Sequence, residues 1–261
     1  MSAARLAARG LSLGYDGRTV INNLSLEVPD GQITSIIGPN GCGKSTLLKG
    51  LGRLLPASSG SVSLDGIPLT EQSSRHIATR LSVLPQAPTA PSGLTVADLV
   101  SRGRHPRQRW YQQFSRTDEA VITDALLATG CADLADTPLE NLSGGQRQRV
   151  WIAMTLAQET DIMLLDEPTT YLDLAHQIDV LSLIRRLNHE RGRTVLMVLH
   201  DISLAARFSD RIIAMRDGAI LAAGAPEEVV TPELLQEIFG LRAHVIREPT
   251  EGRPHVIPLG T

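Results

Sequence analysis

Apolar and polar side chains alternate from Arg5 to Leu13 and again from Thr19 to Val28, on either side of Gly14-Tyr15-Asp16-Gly17. A period of two puts every second side chain on one face, so this stretch predicts two antiparallel strands joined at a tight turn. The pattern then changes. Short, almost continuous apolar runs at Ile33–Ile37, Leu81–Leu84, Ile162–Leu165, Thr194–Leu199 and Arg211–Met215 mostly alternate with stretches of helical spacing. That alternation predicts a parallel sheet of the α/β class behind an N-terminal antiparallel layer.

Between the second and third of these runs the spacing is helical over about residues 87–159. Three segments carry it, Thr95–Arg102, Thr117–Thr129 and Gly145–Gln158, punctuated by the Pro-rich Pro85–Ser92 and by Thr137-Pro138. The chain therefore divides into a core formed by residues 1–86 and 160–230, a helical insertion at 87–159, and a tail at 231–261. In the tail, a helix-like Pro232–Phe239 is followed by His244-Val245-Ile246 and His255-Val256-Ile257, which flank Pro249–Pro254 as a short hairpin would. Repeats, heptads and low-complexity tracts are absent from the sequence.

Composition narrows the classes. With 261 residues and 42% hydrophobic content there is enough apolar material for one large or two small domains. A net charge of −3 argues against bulk nucleic-acid binding. Two cysteines, Cys42 and Cys131, are too few for a disulfide framework, and they read as a small loop filler and a core residue. Met1–Gly10 lacks the apolar core of a secretory signal, and no apolar run approaches the ~20 residues of a spanning helix. Any membrane role would need a separate membrane partner.

The first candidate site is Gly38-Pro39-Asn40-Gly41-Cys42-Gly43-Lys44-Ser45-Thr46, which fits G-x-x-x-x-G-K-[ST] between a strand-like run and a helix-like Lys44–Leu54. Glycines let backbone N–H groups curl around the β and γ phosphates of a nucleotide, Lys44 adds a point charge, and the Ser45 hydroxyl suits Mg²⁺. A second anion site is expected at Leu142-Ser143-Gly144-Gly145-Gln146, continued by Arg147-Gln148-Arg149. There a hydroxyl and bare amides sit at a helix start, where the dipole favours negative charge.

Ile162–Leu165 runs directly into Asp166 and Glu167. Ligands of parallel α/β sheets gather at the carboxyl ends of strands, so Asp166 is expected to help hold Mg²⁺ and Glu167 to polarise an attacking water. His200 follows another such strand.

In its order of motifs the chain resembles the ATP-binding cassette (ABC) ATPases, whose fold is a P-loop NTPase core with an inserted helical subdomain. The resemblance spans Tyr15, the P-loop, Gln86, the Leu142–Gln146 signature, Asp166-Glu167, Asp173 and His200, covering about residues 11–224. It implies that Tyr15 stacks on adenine, that Gln86 reaches Mg²⁺ and the attacking water, and that His200 senses the γ-phosphate. It also implies that Asp173 lies in the segment called the D-loop. In that family the P-loop and the signature lie on different faces, so ATP is closed only between two copies, and Leu142 to Gln146 would act on the partner copy's ATP.

Within the family, Asp166-Glu167-Pro168-Thr169-Thr170-Tyr171-Leu172-Asp173-Leu174-Ala175-His176-Gln177 is similar to the segment of ferric-siderophore importer ATPases, of the ferric enterobactin, ferrichrome and ferric citrate type. Thr95–Val100 leading into Gly103-Arg104-His105-Pro106, and the tail Gly252–Pro258, follow the same subgroup. The expected protein is a homodimer on the cytoplasmic face of a bacterial membrane. It would sit beneath permease subunits served by a separate substrate-binding protein, touching neither siderophore nor nucleic acid. Cobalamin or haem is the alternative cargo. A soluble ABC protein of DNA repair or translation is disfavoured by the lack of a coiled-coil insert and of a second cassette, and a scaffold without turnover by Glu167 and His200. The patch Arg102, Arg104, Arg107, Arg109, Trp110 and Tyr111 is expected near the groove for a permease helix. His176 is expected to be a polar contact or an exposed residue, with no metal role.

Overall fold

A computed structural model describes residues 4–108, 115–170 and 172–260. Strands β1 (Leu6–Tyr15) and β2 (Arg18–Val28) pair antiparallel around Asp16 and Gly17, whose φ values of 47° and 80° give the left-handed two-residue turn that suits strand twist. Strand β3 (Ile33–Ile37) leads through the glycine-rich loop into helix α1 (Lys44–Leu51). That helix stops three residues short of the sequence expectation, because Gly52 caps it and Arg53 turns left-handed at φ 58°. Strands β4 (Ser59–Leu64) and β5 (Ile67–Pro68) return to the antiparallel layer, in the order β2-β1-β4-β5.

After the one-turn α2 (Ser74–Ala78) and strand β6 (Leu81–Leu84), the chain leaves the sheet for α3 (Val96–Ser101), α4 (Arg116–Ala128) and α5 (Gly144–Ala157). Each of these three begins with a capping box: Thr95 with Asp98, Ser115 with Asp118, Ser143 with Gln146. The chain re-enters at β7 (Ile162–Asp166), crosses by α6 (Leu174–Arg191) to β8 (Thr194–Val198), and by α7 (Ile202–Phe208) to β9 (Arg211–Arg216). Strand β10 (Ala219–Gly224), α8 (Pro226–Val229), α9 (Pro232–Phe239) and the hairpin of β11 (Arg242–Arg247) with β12 (Pro254–Gly260) complete the described chain.

The main sheet runs β10-β9-β3-β8-β7-β6, parallel except for β10. Its central strands are buried on both faces, which is why they read as unbroken apolar runs. The faces still divide by parity: Met163, Leu165, Val195 and Met197 join the core that contains α5 and α6, while Ile162, Leu164, Leu196 and Val198 join the core beneath α1 and the antiparallel layer. This doubly covered sheet is a P-loop NTPase core, and its carboxyl edge at β3, β7 and β8 presents the loops that matter.

Candidate nucleotide site

The loop from Gly38 to Thr46 is shaped by positions where only glycine fits. A methyl group on Gly38, at φ 155°, would stand 2.2 Å from the Met215 carbonyl oxygen, and one on Gly43, at φ 103°, would press on Val20 and Ile21. Lys44 is buried and donates from Nζ to the carbonyls of Gly38 (2.8 Å) and Pro39 (2.9 Å), leaving one of its three donors for a ligand. Cys42 faces inward and packs in the core, and burial pushes its thiol pKa up, away from reactivity.

Ser45 Oγ donates to Asp166 Oδ1 at 2.8 Å. Burial raises the pKa of Asp166, with the Ser45 hydrogen bond working the other way. A hydroxyl and a carboxylate converging from α1 and β7 form an oxygen donor pair of the kind hard divalent cations take.

Glu167 is the most constrained polar residue of the site. It is buried, its φ of 52° is left-handed, and Pro168 follows it. Its Oε1 lies 2.7 Å from His200 Nε2, and its Oε2 accepts from Gln86 Nε2 at 2.5 Å and from Thr170 Oγ1 at 2.9 Å. The strand ends of β6, β7 and β8 thus aim three side chains at one carboxylate.

Lys44, Ser45, Glu167 and His200 border a cleft of about 720 Å³, with Asp166, Gln86 and Thr170 set behind them. Tyr15 stands at its edge, 42% exposed, and Asn40, Gly41, Gly43 to Thr46, Glu167 and His200 line it. Arg18, Asp217 and Gly218 line it too, and sequence reasoning did not single them out. Arg18 faces Tyr15 across the hairpin, a pairing that the Asp-Gly turn could have given. Asp217 sits in a second such turn, between β9 and β10, whose approach to the P-loop no local pattern reveals; there the Gly218 amide donates to the Cys42 carbonyl at 3.0 Å. Thr170, read only as part of the Asp166–Gln177 segment, holds Glu167.

Leu142 to Gln146 occupy the start of α5. Ser143 Oγ accepts from the Gln146 amide at 3.3 Å, and Gln146 Oε1 accepts from the Ser143 amide at 2.9 Å. Leu142 is buried, Ser143 and Gly144 are exposed, and none of the five is among the described residues lining the cleft. Asp173, also exposed, caps α6, with the exposed apolar side chain of Leu174 beside it.

A family model described as ABC transporter matches residues 21–170 of this sequence. The chain belongs to the ABC transporter family. This ABC cassette is 52% identical over 259 residues to the ferric enterobactin transport ATP-binding protein FepC of Escherichia coli (strain K12), covering 99% of this chain and 96% of that protein. It is 49% identical to the iron(3+)-hydroxamate import ATP-binding protein FhuC of Bacillus subtilis (strain 168), covering 95% and 93%. Among solved structures it is similar to a metal-chelate type ABC transporter in an inward-facing conformation, with a TM-score of 0.85 at 29% identity over 100% of this chain and 98% of that one. A dimeric bacterial ABC transporter cassette superposes with a TM-score of 0.75 at 29% identity, covering 84% and 98%.

One expectation is corrected. Arg104 is buried, with Nε 2.8 Å from Asp118 and Nη1 2.7 Å from Glu159, and Arg107 donates to the carbonyls of Thr79, Gln158 and Glu159. Those partners precede β6 and β7, so these two arginines brace the amino ends of the sheet, whereas Gln86 follows the carboxyl end of β6. They form no free basic patch beside it. Arg109, Trp110, Tyr111 and the subgroup marker Tyr171 lie outside the described residues. Among the described residues no helix is long and apolar enough to cross a membrane.

Proposed function

We propose that this chain is the ATP-hydrolysing subunit that powers import of a ferric siderophore through a separate membrane permease, working as a homodimer on the cytoplasmic face of the membrane. The observation that carries the catalytic part is the threefold grip on Glu167, made by Gln86, Thr170 and His200 at the rim of the P-loop cleft. The cargo rests on likeness, over nearly the whole chain, to subunits named for ferric enterobactin and iron(3+)-hydroxamate transport.

In this reading Tyr15 stacks on adenine, and the amides of the Gly38–Thr46 loop with Lys44 hold the β and γ phosphates. Ser45 and Asp166, with Gln86 nearby, would hold Mg²⁺, which when bound neutralises phosphate oxygens. Glu167 orients a water against the γ-phosphorus. The water oxygen bonds to phosphorus as the bond to the β–γ bridging oxygen breaks, the water proton passes toward the carboxylate, and ADP and phosphate leave. His200, which touches Glu167 directly, would report the γ-phosphate.

The other half of the site comes from the partner copy, whose Ser143, Gly144, Gly145 and helix dipole would close on the γ-phosphate. A cleft of about 250 Å³ lined by Pro88 to Pro91, Leu139, Glu140, Arg147 and Trp151 would receive the permease segment. It opens two residues after Gln86, so pressure there and the hold on Glu167 share one loop. The test is ATPase activity and uptake in vesicles containing the chain and its cognate permease, with ferric siderophores, cobalamin and haem offered in turn. ATP-dependent uptake of a ferric siderophore is expected; uptake of cobalamin or haem but of no ferric siderophore overturns the cargo.

A further inference from the structure

His176 belongs to no phosphate-binding motif, yet it touches both the cap of α6 and the signature at the start of α5. It lies in the first turn of α6, three residues after Asp173. Its backbone amide donates to Asp173 Oδ1 at 3.0 Å, and its ring Nδ1 lies 2.7 Å from the same oxygen, a geometry in which the carboxylate accepts and the ring nitrogen carries the proton. The other edge of the ring lies against Gly145. A methyl group built on Gly145 would stand 2.6 Å from His176 Cδ2 and 3.3 Å from Nε2. Gly145 is buried, so the ring has taken the space that a side chain would fill.

We propose that His176 is a positioning residue that ties Asp173 to Gly145, so that the signature meets the partner's ATP as one body with the start of α6. The inference rests on the paired-site reading above. Its physical content is a loss of independent motion: α5 and α6 belong to different parts of the fold, and a hydrogen bond on one side of the ring with van der Waals contact on the other fixes the distance between their first turns. Gly145 is then small for two reasons, an open amide toward phosphate and room for the ring.

The purified 261-residue chain is assayed as His176→Ala and His176→Phe, alone and in the Glu167→Gln background. For His176→Ala, affinity for a fluorescent ATP analogue stays within about twofold, because the cleft is untouched, while kcat falls about fivefold to tenfold. The Hill coefficient for ATP falls from near the limit of about 2 for two coupled sites toward about 1. ATP-driven dimerisation of the Glu167→Gln chain weakens by about tenfold when His176→Ala is added. His176→Phe keeps a ring on Gly145 but cannot donate to Asp173, and recovers only part of kcat.

Parental kcat and dimer affinity in His176→Ala overturn the proposal. So does full recovery by Phe, which would reduce the ring to a filled gap. A parallel fall in nucleotide affinity and melting temperature with kcat per folded molecule unchanged also overturns it, leaving His176 as a structural part of α6. If Glu167→Gln itself forms no dimer with ATP, the paired-site reading fails first, and the two failures are thereby told apart.

Discussion

At the carboxyl edge of the sheet, polar groups of the P-loop half meet partners within the chain: Lys44 on two carbonyls, Ser45 on Asp166, Glu167 on Gln86, Thr170 and His200. At the start of α5, the side chains of Ser143 and Gln146 each accept from the other's backbone amide and Gly144 faces water. The first region is preorganised: its polar side chains are already fixed by bonds within the chain, so on the proposed reading little ordering remains when a triphosphate binds. In the second, a helix N-terminus exposed to solvent attracts an anion weakly. The same amides gain strength only when closure excludes water. On the proposed reading one chain carries a finished half and a waiting half, and moving a pair of such chains from 1:99 to 99:1 closed would need about 5.5 kcal/mol of differential binding, which two enclosed triphosphates could supply.

The sharpest way to separate the halves is Glu167→Gln. The amide preserves the shape of the residue but cannot take a proton, so hydrolysis should fall by about 10²- to 10³-fold while ATP still binds. The variant should accumulate as an ATP-bound dimer on size exclusion. Hydrolysis at the parental rate would remove Glu167 from the chemistry. Ser143→Arg attacks the other half. It should leave ATP affinity of the single chain within about twofold, yet abolish ATP-driven dimerisation in the Glu167→Gln background and lower uptake by about 10²-fold. Dimerisation with ATP and normal uptake in that variant would show that the signature does not face a partner's phosphate.

Most of the first half was legible in the sequence. The P-loop pattern, the apolar run into Asp166-Glu167 and the strand-end histidine are local, and the strand-end rule turns them into a site. Long-range pairing was not legible. Arg104 and Arg107 read as surface charge because nothing local shows that Asp118 and the 157–159 segment will close over one and accept from the other. Thr170 and Asp217 were missed for the same reason: a turn can be predicted, but what it faces depends on strand order, and β3 lying between β9 and β8 is not written in any periodicity.

Arg104 offers the next test, because it anchors the helical insertion that carries the waiting half. Burial works against the Asp118 carboxylate, but hydrogen bonds from Arg104 and Ser115 outweigh it and hold its pKa below the ordinary value. Arg104→Ala leaves that carboxylate buried and without its guanidinium partner, and unfolding in denaturant should show a loss of about 3 kcal/mol at neutral pH. A depressed carboxylate contributes fully above its unfolded pKa and loses its contribution as pH falls through the folded one, while burial without the guanidinium favours protonation in the variant. The gap between variant and parent should therefore be widest near neutral pH and narrow as pH falls through the carboxylate range. An unchanged midpoint would mean that the insertion is held elsewhere.

The smallest effect is expected at the edge of the finished half. Tyr15 presents its ring at the mouth of the cleft, 42% exposed, and reaches none of the groups around Glu167 in the hydrogen bonds of the site. Its contribution should therefore be the same before and at the transition state, since the base does not change during phosphoryl transfer. Interactions of that kind set KM and leave kcat alone. Stacking a base on an aromatic ring contributes about 1–3 kcal/mol, so Tyr15→Ala should raise the KM for ATP about tenfold with kcat at saturation unchanged. Tyr15→Trp, which keeps a π face, should stay within about twofold of the parent. If kcat fell with Ala, the ring would be shaping the P-loop rather than seating the base, and the boundary drawn between binding and chemistry inside the first half would have to move.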